Sequence, residues 1–310
     1  MTGWNVGDMP GLDGRVAVVT GANSGLGYVV ARELARKGAS VVLACRSERR
    51  GSEAVERLVG EVPDAAVELA RLDLGDLASV RGFAYGLPYD RVDLLVNNAG
   101  VMALPYGTTT DGFETQFGVN HLGHFALTGL LLPTLLATPG ARIVTVSSFL
   151  HALANIDPRD LNNVRRYGRW TAYARSKSAN LLFTHELARR LAARGGASDV
   201  RAIAAHPGYA ETNLLTAGTR AEGRRLAERL MVLAGRVVAQ PAEAGALPVL
   251  YAATAPGVPS DSFTGPSFAM WRGAPAPSWR APWTTDDAMG ERLWAASERL
   301  TGVTYEALRG

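Results

Sequence analysis

The stretch TGANSGLG, at residues 20–27, is the most informative part of this sequence. An apolar run at residues 15–19 precedes it and predicts a strand, and residues 28–37 continue it as a helical pattern that ends at Gly38. Strand, glycine turn and helix in this order are the context of a dinucleotide site, although a tight strand-to-helix turn would need the same glycines. The glycines let the backbone approach a pyrophosphate, and the helix N-terminus offers free N–H groups to it.

Composition sets the broad class. The chain has 310 residues, a net charge of +3, 47% hydrophobic and 20% charged residues, which is typical of a soluble globular enzyme. It has no basic run of five or more residues, so we expect no nucleic-acid partner. A single cysteine, Cys45, excludes an internal disulfide and suits the cytoplasm. The polar residues 1–10 do not resemble a signal peptide, and we expect no membrane span and a cytoplasmic location.

Strand and helix patterns alternate along the chain. Further strands are predicted at 41–44, 67–72, 92–96, 142–146, 200–205 and 263–270, and helices at 47–60, through 80–83, and at 111–136, 171–191 and 241–254. This alternation predicts an α/β fold of the Rossmann type, a doubly wound parallel sheet of about seven strands with helices on both faces. No linker divides residues 1–310, so we expect a single domain with an N-terminal arm at 1–12 and a C-terminal tail at 271–310.

The end of the second strand bears on the choice of nucleotide. An acidic residue there would bind the adenosine ribose hydroxyls, but this chain has Cys45 followed by Arg46. A guanidinium pairs with phosphate, so NADP(H) is favoured over NAD(H). The alternative is that Arg46 is an ordinary solvated charge.

Small and polar residues follow the other strands. Ligands of open α/β sheets bind at the carboxyl ends of the strands, so these residues are candidates for a common site. They are Asp73-Leu74, Asn97-Asn98-Ala99-Gly100, Ser147-Ser148 and His206-Pro207-Gly208, with Thr212 just beyond.

Two predicted helices carry further candidates. Asn120 lies among apolar residues, so its amide needs partners, either as a buried structural group or as a site ligand. Tyr173 and Lys177 are four residues apart and project from one helical face, a spacing that also arises by chance.

The remaining segments suggest how a substrate pocket is covered. The polar loop at 151–169 is long enough to form a wall or lid. Residues 213–239 are amphipathic and are interpreted as a substrate lid, with plain packing and a membrane-surface helix as alternatives. The tail is rich in tryptophan, with Trp271, Trp279, Trp283 and Trp294. Three roles are open for these residues: packing of the tail onto the core, formation of an interface, or contact with the substrate.

Together these motifs resemble the short-chain dehydrogenase/reductase family over roughly residues 13–270. The motifs that carry the resemblance are Thr20-Gly21 with Gly25 and Gly27, Asp73, Asn97-Asn98-Ala99-Gly100, Asn120, Ser148, Tyr173 with Lys177, and Pro207-Gly208 with Thr212. The chain looks most like the NADP-linked branch that includes retinol dehydrogenases. That likeness comes from Ala44-Cys45-Arg46, residues 120–125, the long Ser148-to-Tyr173 separation and His206-Pro207-Gly208.

The resemblance implies a role for each matching residue. Tyr173 would be the general acid/base, Ser148 (rather than Ser147) would polarise the substrate oxygen, and Asn120 would hold a relay water next to Lys177. A tyrosine of ordinary pKa, about 10, is a weak base at neutral pH, so we expect the Lys177 ammonium and the positively charged nicotinamide to lower the tyrosine pKa. The implied cofactor contacts are Gly21, Asn23, Ser24, Gly25, Leu26, Gly27, Arg46, Asp73, Leu74, Asn98, Ala99, Gly100, Tyr173, Lys177, Pro207, Gly208 and Thr212.

The implied function is NADP(H)-dependent interconversion of a carbonyl, either a ketone or an aldehyde, and an alcohol on a lipophilic small molecule. The alternatives are C=C reduction or epimerisation on the same site, and a non-catalytic NADP-binding protein. The family also implies a homodimer or homotetramer through the helices of Asn120 and Tyr173, although members with long tails are monomers. We expect no metal, because the histidines are scattered without a carboxylate or cysteine set.

Overall fold

Eight strands form one sheet in the computed structural model, which describes residues 3–194, 199–208 and 241–309. Their order is β3-β2-β1-β4-β5-β6-β7-β8, with parallel pairing from β3 through β7. The strands are β1 (Val16–Thr20), β2 (Ser40–Cys45), β3 (Val67–Arg71), β4 (Leu94–Asn97), β5 (Arg142–Val146), β6 (Arg201–Ala205), β7 (Phe263–Phe268) and β8 (Arg272–Pro277). The predicted doubly wound α/β fold is confirmed.

Helices cover both faces of the sheet. Alternate residues of β1 illustrate this, because Ala17 and Val19 belong to one apolar cluster and Val18 to the other. Helices α1, α2 and α7 pack on the first face and α3, α5 and α6 on the second. The described helices are α1 (Gly25–Arg36), α2 (Glu48–Glu61), α3 (Leu77–Gly86), α4 (Thr115–Phe117), α5 (Gly123–Ala137), α6 (Arg169–Arg194), α7 (Ala242–Thr254) and α8 (Asp287–Thr301).

The sheet has one strand more than the roughly seven predicted, and this additional strand lies at the edge. Strand β7 ends at Phe268 rather than at 270, and an eighth strand, β8, pairs with it antiparallel. The turn between them places Ala269 and Met270 at positive φ, 49° and 58°. Such turns usually carry Asn or Gly, and β8 contains two prolines, so the sequence lacks the ordinary signals of a hairpin.

The predicted helix at 111–136 is also different in detail. Helix α4 begins at Thr115, where the Glu114 carboxylate caps the amides of Gln116 and Phe117. A π-helical turn, Gly118–Leu122, then separates α4 from α5. The π-helical turn accommodates one extra residue, and Asn120 lies at the centre of this turn. Such π-turns are frequent at functional sites.

Helix α8, which the sequence analysis did not predict, covers the outer sides of α5 and α6. The Trp294 ring packs edge-on against Phe125 of α5, with centroids 5.2 Å apart, and stacks on Phe183 of α6 at 5.9 Å. The chain beyond α8 continues over the same surface, where the Tyr305 hydroxyl donates to the Phe125 carbonyl at 2.7 Å. Part of the expected tail at 271–310 is therefore ordered secondary structure.

Residues 115–137 are long and apolar enough to cross a membrane by length and composition. However, 72% of their most apolar 18-residue window is buried inside the fold. This burial is that of a core helix of a globular domain.

Candidate active site

The turn between β1 and α1 has the backbone geometry that its glycines suggest. Gly21 and Gly25 have φ of 67° and 54°, the left-handed region in which side chains are strained. A Cβ on Gly27 would lie 2.4 Å from the Asn98 amide nitrogen, whereas a Cβ on Gly25 would meet nothing within 4 Å. The turn is thus packed on one side and open on the other. The Ser24 side chain does not cap α1, so it leaves the first amides of the helix without that acceptor.

The end of β4 is attached to this turn. The Thr20 hydroxyl accepts the backbone N–H groups of Asn98 and Ala99, both at 2.9 Å. The Asn98 side chain donates to the Thr20 carbonyl at 2.8 Å. Two of the sequence-predicted motifs therefore form one rigid edge of the site.

Arg46 directly follows β2, beside the same edge. Its side chain is exposed and makes no hydrogen bond or ion pair within residues 3–194, 199–208 and 241–309. Cys45 is buried under the turn, where burial raises the pKa of its thiol to about 11 and the backbone of Ala22 and Asn23 contacts it. Arg50 is also exposed, whereas neighbouring Arg49 is paired with Glu53.

The predicted adenine-side residues follow β3. The Asp73 carboxylate accepts the N–H of Gly75 at 2.9 Å in a local turn. Leu74 is buried against Gly123, where a Cβ on the glycine would lie 2.4 Å from the Leu74 carbonyl oxygen. This close contact brings the β3 end next to the first residue of α5.

Residues after β6 complete the same edge. Gly208 has φ of 66°, and a Cβ there would lie 2.3 Å from the Trp271 carbonyl oxygen, so the turn packs on the β7–β8 hairpin. Thr212 and the expected lid at 213–239 lie outside the described residues. Their assigned roles stay predictions.

Asn120 is fully buried and satisfied by specific partners. Its side-chain oxygen accepts the Val101 N–H at 2.8 Å, and its amide donates to the Val101 carbonyl and to the Ser176 hydroxyl, both at 2.9 Å. A Cβ on Gly100 would lie 3.2 Å from Asn120 Oδ1 and 3.5 Å from Lys177 Nζ. The structure thus brings Asn120, Gly100 and Lys177 together.

The two serines after β5 face different groups. The Ser147 hydroxyl donates to the Lys177 carbonyl at 2.9 Å, inside the fold. The Ser148 side chain caps the turn Phe149–Leu153, accepting the Leu150 N–H at 3.2 Å, and is a hydrogen-bond partner of Tyr173. Ser148 is therefore the serine at the candidate site.

Tyr173 and Lys177 project from one face of α6, with Lys177 Nζ 5.8 Å from the centre of the tyrosine ring. Burial raises the pKa of Tyr173 to about 12, with the Ser148 hydrogen bond acting in the opposite direction. Burial lowers the pKa of Lys177 to about 8. Desolvation is thus the larger influence on the phenol, and the Lys177 ammonium donates to the Val146 carbonyl at 3.1 Å. The lowering of the Tyr173 pKa that is expected from Lys177 and the nicotinamide stays a prediction.

Apolar side chains pack beside the Tyr173 ring. Met102, Ala103 and Leu150 form a small cluster with it. The loop that begins at 154 closes on this region, where the Tyr167 hydroxyl donates to the Leu104 carbonyl at 2.7 Å. The polar atoms of the site therefore border an apolar wall.

Sequence reasoning missed the role of the histidines. His151 Nδ1 lies 2.6 Å from the Ser148 carbonyl oxygen, and its Nε2 accepts the N–H of Ala281 at 3.0 Å. His124 contacts Thr20 and the Asn120 carbonyl. Spacing is the one sequence signal that could have indicated these contacts. His151 follows Ser148 by three residues, and His124 follows Asn120 by four. Within the described ranges, no three His, Cys, Asp or Glu residues are grouped as metal ligands.

Comparison with known proteins agrees with this geometry. Residues 15–223 match the short chain dehydrogenase family. The chain belongs to the short-chain dehydrogenase/reductase family. Human retinol dehydrogenase 12 is 39% identical over 95% of this chain and 89% of its own length. Mouse polyprenol dehydrogenase is 42% identical over 95% and 86%.

A solved structure of this family fold supports the assignment. An uncharacterized protein from Mycobacterium Paratuberculosis is 47% identical and superposes with a TM-score of 0.81, covering 98% of this chain and 99% of that one. The predicted family and fold are confirmed. As a member of this family, the protein is an oxidoreductase of a class that uses a nicotinamide nucleotide.

Proposed function

We propose that this short-chain dehydrogenase/reductase is an NADP(H)-dependent enzyme that interconverts a lipophilic ketone or aldehyde and its alcohol. The observation that carries the proposal is the convergence of Ser148, Tyr173 and Lys177 beside Gly100, at the edge where the glycine turn lies. Two relatives whose names specify retinol and polyprenol, both lipophilic alcohols, support the substrate class.

The residues present fit a dinucleotide. The open side of Gly25 and the uncapped amides of α1 suit a pyrophosphate, and the exposed guanidinium of Arg46 suits a ribose phosphate. The nucleotide, when bound, supplies or accepts the hydride. We assign the other predicted contacts to the same nucleotide, namely Gly21, Asn23, Ser24, Leu26, Gly27, Asp73, Leu74, Asn98, Ala99, Gly100, Tyr173, Lys177, Pro207, Gly208 and Thr212.

The side chains provide the proton chemistry. In the reducing direction the Ser148 and Tyr173 hydroxyls would donate hydrogen bonds to the substrate oxygen, polarising the carbonyl. As the oxygen gains the carbonyl π electrons, the Tyr173 proton forms the new O–H bond and leaves a phenolate. The Tyr173 phenol carries its proton at neutral pH, because its pKa lies well above 7. The nearby Lys177 ammonium would stabilise the phenolate until it is reprotonated.

The apolar wall of Met102, Ala103 and Leu150 supports a lipophilic substrate. Each buried methylene contributes about 0.8 kcal/mol, so we expect kcat/KM to rise roughly fourfold per added methylene until the pocket is filled. The free, buried Cys45 is compatible with the cytoplasmic location that we propose.

The test is NADPH oxidation by the full chain with aldehydes of increasing alkyl length, matched hydroxylated analogues and one α,β-unsaturated ketone. We expect turnover that favours the longer alkyl chains and yields alcohol from each carbonyl. Binding of NADPH without turnover on any member would contradict the proposed activity. An unsaturated ketone that loses its C=C bond and keeps its carbonyl would point to the other reduction.

A further inference from the structure

His124 lies at the centre of a buried chain of hydrogen bonds. The chain runs from the glycine turn, residues 20–27, to helix α6, which carries Tyr173 and Lys177 and is called the catalytic helix below. His124 Nε2 lies 2.9 Å from the Thr20 hydroxyl, and its Nδ1 lies 3.1 Å from the main-chain carbonyl oxygen of Asn120. All three residues are at most 1% exposed. The ring thus joins the end of β1 to the π-helical turn.

The partners fix which ring nitrogen carries the proton. The Thr20 oxygen already accepts the N–H groups of Asn98 and Ala99, which occupy its two lone pairs. Its own proton is therefore donated to His124 Nε2, because the other acceptor, the Val96 carbonyl, is at 3.4 Å. Nε2 is then bare, and Nδ1–H donates to the Asn120 carbonyl, which can only accept.

The chain continues beyond Asn120 to the catalytic helix. The Asn120 amide donates to the Ser176 hydroxyl at 2.9 Å, and that hydroxyl donates to the Tyr173 carbonyl at 2.7 Å. Every link is a directed hydrogen bond with a defined donor. The turn that we assign to the dinucleotide and the backbone of Tyr173 are therefore connected through one imidazole.

We propose that His124 is a positioning residue that couples the nucleotide-binding turn to the catalytic helix through its Nδ1–H tautomer. This inference rests on the proposed function, which identifies the turn as the nucleotide site and α6 as the catalytic helix. Each half of the ring serves one end: Nε2 holds Thr20, and Nδ1 holds the Asn120 carbonyl.

Substitutions can separate the two halves. His124→Asn places an amide N–H near the position of Nδ1 and removes the acceptor for Thr20. His124→Gln reaches the position of Nε2 and removes the donor to Asn120, and His124→Phe removes both. His121 provides the matched control, because it is equally buried one turn away but contacts Ser297 of α8 instead.

The measurements are NADPH affinity by calorimetry, kcat with the preferred carbonyl at saturating NADPH, and the melting temperature. We expect His124→Asn to weaken NADPH binding about tenfold with a smaller change in kcat, the size of one lost buried hydrogen bond. We expect His124→Gln to lower kcat about tenfold and keep the affinity. Equal effects of both variants, or the same pattern in His121→Phe, would overturn the proposal.

Two measurements are independent of turnover. Long-range proton–nitrogen NMR spectra of histidine-labelled protein should show His124 Nδ1 protonated and Nε2 bare, and the opposite tautomer would refute the inference. Thr20→Val should weaken NADPH binding in the wild type and much less in His124→Phe, whereas additive losses would count against coupling. A wild type that binds NADPH without turnover would contradict the proposed function alone, leaving these two results to decide the role of His124.

Discussion

The backbone N–H of Ala281 donates to His151 Nε2 at 3.0 Å, across 130 residues of sequence. An amide N–H can only donate, so the ring proton of His151 is on Nδ1, from which it is donated to the Ser148 carbonyl at 2.6 Å. Burial lowers the pKa of His151 and keeps the ring neutral. Ala281, in the segment before α8, therefore holds His151 in place. His151 in turn holds Ser148, the residue that we propose polarises the substrate carbonyl.

Removing the donor of this contact should affect Ser148. Ala281 has φ of −62°, which proline accepts, so Ala281→Pro removes the N–H, and the proline Cδ that replaces the hydrogen also displaces the His151 ring. An acceptor left buried without a donor costs about 1–3 kcal/mol of unfolding free energy, and we expect kcat to fall as well. Urea unfolding and steady-state kinetics measure both effects. Ala281→Gly keeps the N–H and is the control, and an unchanged kcat in Ala281→Pro would separate His151 from catalysis.

Tyr173→Phe should retain NADPH binding and lose turnover by about 10²–10⁴-fold, because the ring is kept and the proton donor is removed. Calorimetry and steady-state kinetics on the same preparation distinguish the two effects. Ser147→Ala is a suitable comparison, since that hydroxyl donates to the Lys177 carbonyl within the fold. Full activity in Tyr173→Phe would refute the assigned role.

Arg46→Ala should reduce the preference for NADPH over NADH. A hydrogen bond to a charged group contributes about 1.5–3 kcal/mol, so the ratio of the two kcat/KM values should fall roughly 10–150-fold. Arg49→Ala is the matched control, because Arg49 is paired with Glu53 on the same exposed segment. If both variants change the ratio equally, the effect is one of general charge and Arg46 makes no phosphate contact.

Stability should depend on pH through His185. A hydrogen bond to Asp261 raises the pKa of His185 above its ordinary 6.5, and one to Asp287 adds to the effect. The protonated ring therefore stabilises the fold below pH 6.5, and this contribution is lost as pH rises through the higher pKa of the folded state. Unfolding free energy measured across this range should decline in the wild type and less in His185→Gln. Parallel curves would exclude His185 as the cause.

Local patterns predicted much of the site. The glycines at 21, 25 and 27 are required by φ or close packing, and four-residue spacing placed Tyr173 and Lys177 on one face. These features depend on residues near each other in sequence, so periodicity and turn chemistry suffice to find them.

The remaining features depend on tertiary packing. The burial that raises the pKa of Tyr173 comes from the fold around the ring, and no local sequence pattern reveals it. The hairpin turn at Ala269 and Met270 uses residues that rarely adopt positive φ. The contact between Ala281 and His151 joins segments that only the folded sheet brings together.

Helix α8 and the residues after it cover the outer surface of α5, one of the helices through which the family resemblance implies pairing of subunits. Ser297 bonds to His121, and a Cβ on Gly129 of α5 would lie 2.7 Å from Val303 and Tyr305, so the outer surface of α5 is already filled from within the chain. We predict that any homodimer or homotetramer of this chain assembles through a surface other than the outer side of α5. Fusion partners for such assembly studies belong at the N-terminus, where they leave this intramolecular cover in place.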